Sequence, residues 1–168
     1  MFDAATMIRV IHHLADAPLG LAQVRESLQP GAAFILEYAN KQNLKAIARW
    51  LLRRQDWDPF EREPVEFAAL NYDFHPRYVR EELKEAGFEP GRVLTVSHLR
   101  IGLLKRAVPT DLLVALDSLF QPTGNLWQLT PSVVVRTEAI GEDASAPAGA
   151  FWRHKRNGVW DFKDAAGE

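Results

Sequence analysis

Within its first forty residues the chain alternates two apolar runs with a helical period between them. That order constrains the fold more than any other feature. Ala4 to Ile11 (AATMIRVI) is a short apolar run bounded by polar residues. It reads as a buried strand of the kind found in parallel sheets, although periodicity alone leaves a helix open. Leu21, Val24 and Leu28 then recur at i, i+3 and i+7, which places three apolar side chains on one helical face. Pro30-Gly31 ends that helix with turn chemistry, and Ala33 to Ala39 (AFILEYA) follows as a second buried strand. Strand, helix, turn, strand is the βαβ unit of a parallel α/β sheet, whose crossover is right-handed and covers one face.

The same grammar continues downstream. Leu44 to about Arg54 reads as a helix, with Leu44, Ile47, Ala48, Leu51 and Leu52 on one side. Asp56 to Glu66 is acidic, contains two prolines and reads as a loop over the sheet. The next helix is the best punctuated: His75-Pro76 opens it, Val79, Leu83 and Ala86 form its buried stripe, and Gly87-Phe88 closes it. Arg92 to Ser97 alternates like a strand, with Val93 and Thr95 on one face. Asp111 to Phe120 reads as a helix and Pro131 to Ile140 as another strand. Gly141 to Ala150 has linker composition, and the tail from Phe151 is aromatic and basic.

Composition narrows the function. The 168 residues amount to one ordinary domain, with no internal repeat. No apolar stretch approaches the roughly 18 residues of a membrane span, and no basic segment precedes an apolar run, so neither a membrane partner nor a secretory signal is expected. A formal net charge of −2 argues against binding nucleic acid by bulk charge. The absence of cysteine excludes disulfides, thiolate metal sites and thiol catalysis, and the expectation is a cytoplasmic protein. A buried strand beginning at position 4 is unusual for a chain terminus. It has two explanations, a compact start or further sequence upstream.

Three segments carry a resemblance: FDAATMIRVIHHLAD from Phe2, VRESLQPGAAFILE from Val24 and HPRYVREELKEAGFE from His75. Their order resembles the C-terminal half of a class I S-adenosylmethionine-dependent methyltransferase of the small-molecule type. In that family a strand beginning Phe-Asp ends in a His-Leu loop, and a helix ends in an Arg-x-Leu-x-Pro-Gly-Gly turn. Leu28, Pro30 and Gly31 match that turn, Arg25 stands one residue farther upstream than its arginine, and Ala32 replaces its second glycine. The resemblance implies an α/β fold, a partial Rossmann-like sheet holding strands four to seven of seven. These are Ala4–Ile11, Ala33–Ala39, Arg92–Ser97 and Pro131–Ile140, in a family sheet of six parallel strands and one antiparallel. It makes residues 1–140 the second half of such a domain, 141–150 a linker and 151–168 a tail. Phe151 to Lys163 resembles the last strands of a small zinc ribbon appended to some methyltransferases. Without cysteine it would be a metal-free remnant, or a tail that docks its aromatics. Trp152, Trp160 and Phe162, separated by even numbers of residues, suit a short strand with one apolar face.

The implied cofactor is S-adenosylmethionine. The family holds it with a glycine-rich turn after strand one and an acidic residue at the end of strand two, and neither pattern occurs in this sequence. Binding by this chain alone is therefore not expected. Arg9 and His12 are the residues the resemblance places toward the cofactor. Methyl transfer requires mainly in-line approach, a dry pocket and sometimes a base. His12 and His13, after the first strand, are candidate bases, since imidazole titrates near neutrality. Each has a plainer alternative: His12 packs or binds backbone, and His13 is solvated. Glu37, Tyr38 and Asn40, ending the second strand, and His75 are candidate substrate contacts. For Glu37 the alternative is a salt bridge to Arg9 or Lys41. For Asn40 it is a helix cap, and for His75 the role of an N-cap neighbour to Pro76. No metal site is expected, because two adjacent histidines rarely converge on one ion.

Lys41, Lys45, Arg49 and Arg53 recur every four residues. They read as the solvated face of an amphipathic helix with acidic partners between Asp56 and Glu66, rather than as an anion or nucleic-acid stripe. Two functions follow. One is part of a small-molecule methyltransferase, active only when its missing half is supplied. The other is a non-catalytic scaffold or partner subunit. Either leaves Ala4–Ile11 with a bare edge, which implies self-association or a complementing chain.

Overall fold

The computed structural model describes residues 1–96, 110–125, 127–141, 155–156 and 159–160. In chain order they form β1 (Phe2–Met7), a 3-10 turn (Ile11–His13), α1 (Ala17–Ser27), β2 (Leu28–Ala39), α2 (Leu44–Leu51), β3 (Val65–Ala68) and β4 (Asn71–Asp73). There follow α3 (Pro76–Glu85), β5 (Phe88–Val96), α4 (Thr110–Phe120), a second 3-10 turn (Gln121–Asn125), β6 (Ser132–Ala139), β7 (Lys155–Arg156) and β8 (Val159–Trp160). The main sheet has the order β1-β2-β6-β5. β1 runs parallel to β2, and β6 runs antiparallel to both of its neighbours. β3–β4 and β7–β8 are separate antiparallel pairs.

The core lies on one face of this sheet. Phe34, Leu36 and Tyr38 of β2 alternate with half-buried Ile35, Glu37 and Ala39. They meet Val133 and Val135 of β6, Phe88 and Val93 of β5, Leu21 of α1, and Val79 and Leu83 of α3. Phe34 and Phe88 are fully buried with ring centroids 5.0 Å apart. Burying one such side chain contributes about 1.5–3 kcal/mol. The punctuation expected for α3 is present: His75 is its N-cap, Pro76 opens it, and Gly87 takes a φ of 86° behind it. The guanidinium of Arg25 then ties three carbonyls together, those of Gly87, Leu28 and Ile140. The arginine of the family-like turn is thus a clamp between the ends of α1, α3 and β6.

Several expectations need correction. The first strand ends at Met7 rather than Ile11, because Arg9 adopts a left-handed φ of 58° and the chain turns into the 3-10 segment that buries Ile11. It is not buried: Phe2, Asp3 and Ala4 are exposed, since β2 lies on one side of β1 and, among the described residues, no strand lies on the other. β2 begins at Leu28, so Pro30-Gly31 forms a bulge inside the strand, where the β1–β2 register shifts between Phe2 and Ala4. The predicted buried stripe of α2 is inverted. Leu44, Leu51 and Leu52 are 63%, 67% and 64% exposed, while Ala46 is buried and Trp50 meets Phe60 of the following loop edge-on. β3 and β4 were not expected. Residues 142–150 of the linker and most of the aromatic tail lie outside the described residues.

Candidate functional site

Two concavities sit at opposite ends of the sheet. The larger, about 500 Å³, lies at the amino ends of β2 and β5, where Gly31 and Gly91 open the backbone and Glu89, Arg92, Arg136 and Glu138 surround it. The smaller, about 350 Å³, lies at the carboxyl ends of β1 and β2 and is lined by Arg9, His12, His13, Glu37, Tyr38, Ala39, Pro131 and Ser132. In open α/β sheets ligands bind outside the carboxyl ends of the strands. The smaller cavity therefore carries the candidate site.

It unites five of the seven residues singled out from the sequence. The 3-10 turn after β1 presents His12 and His13 side by side, with ring centroids 4.2 Å apart. His13 Nδ1–H donates to the carbonyl of Leu70 at 2.9 Å, which fixes its tautomer and ties the β3–β4 hairpin to the site. His12 Nδ1 is buried with no protein hydrogen-bond partner. Burial, then the neighbouring His13 and Arg9, hold the His12 imidazole below its ordinary pKa, with Glu37 opposing them. It is thus a neutral base at neutral pH. The Glu37 carboxylate pairs with neither suggested cation and accepts from Ser132 Oγ instead. Lys41 turns away: its ammonium is buried and donates to the carbonyls of Glu61 and Glu63 at 2.9 and 2.7 Å. Tyr38 contributes backbone and ring to the wall, while its buried hydroxyl donates to Gln128 Oε1 at 2.9 Å. Burial raises its pKa.

Asn40 and His75 fall outside the cavity lining. Asn40 is 1% exposed and fully engaged: Nδ2 donates to the carbonyls of Gln128 and Thr130, and Oδ1 accepts from Gln42 N. It braces the approach to β6, and the cap of α2 is Asn43, whose Oδ1 accepts from Ala46 N. His75 is buried, and its Nδ1 accepts from Arg77 N at 3.1 Å. Burial, Lys41 and Arg77 all lower its pKa, in keeping with an imidazole that accepts there. Ser132 was missed by sequence reasoning. It reaches Glu37 because β6 pairs Ser132 with Ala39, which makes Glu37 and Ser132 diagonal neighbours. That register is not legible in either segment alone. Among the described residues no cluster of three or more His, Asp or Glu is placed to hold a metal.

An S-adenosylmethionine molecule would need a backbone cradle and a carboxylate free for its ribose hydroxyls. No glycine lines the cavity. The described residues of this cavity therefore do not fit the cofactor cradle.

No family model and no curated protein matches the chain in sequence. Solved structures do match. A SAM-dependent methyltransferase of Thermotoga maritima, described as a possible histamine N-methyltransferase, is similar over 82% of this chain and 56% of its own length, at 15% identity and a TM-score of 0.50. A SAM-dependent methyltransferase of Archaeoglobus fulgidus is similar over 82% and 59%, at 14% identity and a TM-score of 0.45. The chain thus spans little more than half the length of these structures. It has a methyltransferase-like α/β fold.

Proposed function

We propose that this chain is the acceptor-side half of an S-adenosylmethionine-dependent methyltransferase acting on a small molecule, and that it is inactive alone. β1, β2, β5 and β6 then correspond to strands four, five, six and seven of the family sheet. One observation carries the reading: the carboxyl ends of two parallel strands bring a neutral histidine, a carboxylate and an arginine to one cavity. The antiparallel strand β6 lies between β2 and β5. In this reading Arg9 and Glu37 orient the acceptor, Ser132 holds the Glu37 carboxylate in place, and His12 accepts the acceptor's proton. The glycine cradle and the ribose carboxylate come from sequence that pairs along β1, either upstream in the same chain or on a complementing one. A second copy pairing along that edge is the alternative partner, and a non-catalytic subunit is the alternative function.

The test begins with the coding DNA before Met1, which should continue in frame into a strand with a glycine-rich turn, or with a separate chain that supplies one. With that half added, methyl transfer to amine, phenol and carboxylate acceptors should fall about 10²–10⁴-fold in kcat for His12→Gln at unchanged KM. Turnover that is indifferent to His12 would remove its role. Transfer by the chain alone would remove the proposed division of the site.

A further inference from the structure

We infer that the groove between α1 and α3 docks the basic aromatic segment of this same chain, residues 151–163. The groove, about 400 Å³, is lined by Pro18, Leu19 and Ala22 of α1 and by Ala86 behind α3. Asp16, Glu82 and Glu85 complete the lining. Leu19 keeps 38% of its surface in solvent there, and Pro18 is exposed as well. Apolar side chains edged by carboxylates suit a ligand that is cationic and aromatic at once.

The cations of the neighbouring elements do not neutralise this groove. Arg62 is paired with Glu81 at 2.6 Å, and Arg25 is turned onto the carbonyls of Gly87, Leu28 and Ile140. Arg80 and Lys84, each two residues from Glu82, stand on the opposite side of α3, where Arg80 lies with Tyr38 and Val93. Asp16 accepts from Leu19 N at 2.8 Å as the cap of α1. Glu82 and Glu85 occupy the last turn of α3, where the helix dipole disfavours negative charge and favours a cation brought alongside. Burial first, then Glu85, hold the Glu82 carboxyl above the usual carboxylate range; Glu81 and Glu63 add to this and Arg62 opposes it. Residues 151–163 (FWRHKRNGVWDFK) are the complement. They set Arg153, Lys155, Arg156 and Lys163 against Asp161 alone, interleaved with two phenylalanines and two tryptophans. The path of the chain brings this segment to the groove. Ile140 N donates to the Gly87 carbonyl at 2.9 Å, so β6 ends beside Ala86 and the last turn of α3. Residues 142–150 span at most roughly 30 Å when fully extended, and a tether so short holds its end at about millimolar effective concentration. Two grooves facing each other across a symmetric contact would instead bring acid against acid.

Limited trypsin digestion of the full chain, read by mass spectrometry, tests this. In low salt the bonds after Arg153, Lys155 and Arg156 should be cut about tenfold more slowly in the native chain than in the double variant E82Q/E85Q. High salt should remove that difference. Cleavage after Arg53 and Arg54, which are exposed and outside the groove, should proceed at the same rate throughout and serves as the internal standard. Leu19→Lys, which places a cation in the groove, should act as the double variant does, should the latter fail to keep its far-UV circular dichroism. Equal rates after Arg153, Lys155 and Arg156 in the native chain and in both variants would overturn the proposal. So would an equal acceleration after Arg53 and Arg54, or protection of the segment that fades on dilution, since the occupant would then be another copy's segment.

Discussion

The two edge strands of the sheet are treated in opposite ways. The outer edge of β5 is sealed by the 3-10 turn Gln121–Asn125. Asn125 Oδ1 accepts from Val93 N at 3.0 Å, and Gly124 lies so close that a Cβ there would stand 2.8 Å from Thr95 N and Val93 O. The outer edge of β1, among the described residues, is sealed by nothing, and its first three residues are exposed. A protein that covers one edge so closely and leaves the other open has an edge to offer. Bare strands pair with other strands unless charge, proline or a covering element prevents it. β1 carries none of these devices beyond Asp3. The contrast separates the finished side of the fold from the side at which the reading above places the missing half.

Substitutions can break that contrast from either side. The largest effect belongs to Gly124→Val. Its side chain would collide with the backbone of β5, so the urea midpoint should report a loss of about 1–3 kcal/mol, with new aggregation as the second edge opens. Asn125→Ala removes one hydrogen bond to that edge and should cost about 1 kcal/mol. Ala4→Lys, on the bare edge, should change stability by no more than about 0.5 kcal/mol. It should nevertheless weaken self-association in sedimentation velocity severalfold; equal association by the variant would mean that β1 is not the contact. The smallest effect is a pH dependence. His12 and His75 sit below their ordinary value of 6.5 in the folded chain, both chiefly through burial. The unfolded chain then binds more protons, so stability is full above that value and falls as pH drops through it toward the lowered folded values. Asp73 and Glu82, pushed up mainly by burial, act with the opposite sign and at lower pH. His75→Asn keeps a capping side chain and should flatten part of the slope in urea midpoints taken across this range.

How far the sequence led differs from element to element for physical reasons. α3 was legible to the residue because its signals are local: an N-cap, a proline, a stripe and a C-terminal glycine. β2 and β6 were legible as strands, but their register was not, and with it Ser132 was lost from the site. α2 was legible as amphipathic, yet its leucines face outward: Ala46 is buried and Trp50 meets Phe60 of the Asp56–Glu66 loop, whose course no local rule fixes. Glu37 drew notice as a carboxylate ending an apolar strand, and its partner turned out to be a hydroxyl across the sheet rather than a cation nearby in sequence. Asn40 had the composition of a reading residue, and long-range carbonyls at Gln128 and Thr130 occupy it instead.

Calorimetric titration of the isolated chain with S-adenosylmethionine tests the central claim most directly. In the proposed reading the chain supplies the acceptor side, and no glycine cradle lines the cavity among the described residues, so no binding in the micromolar range is expected. Saturable micromolar binding by this chain alone would contradict the account, because the residues at the ends of β1 and β2 would then suffice to hold the cofactor.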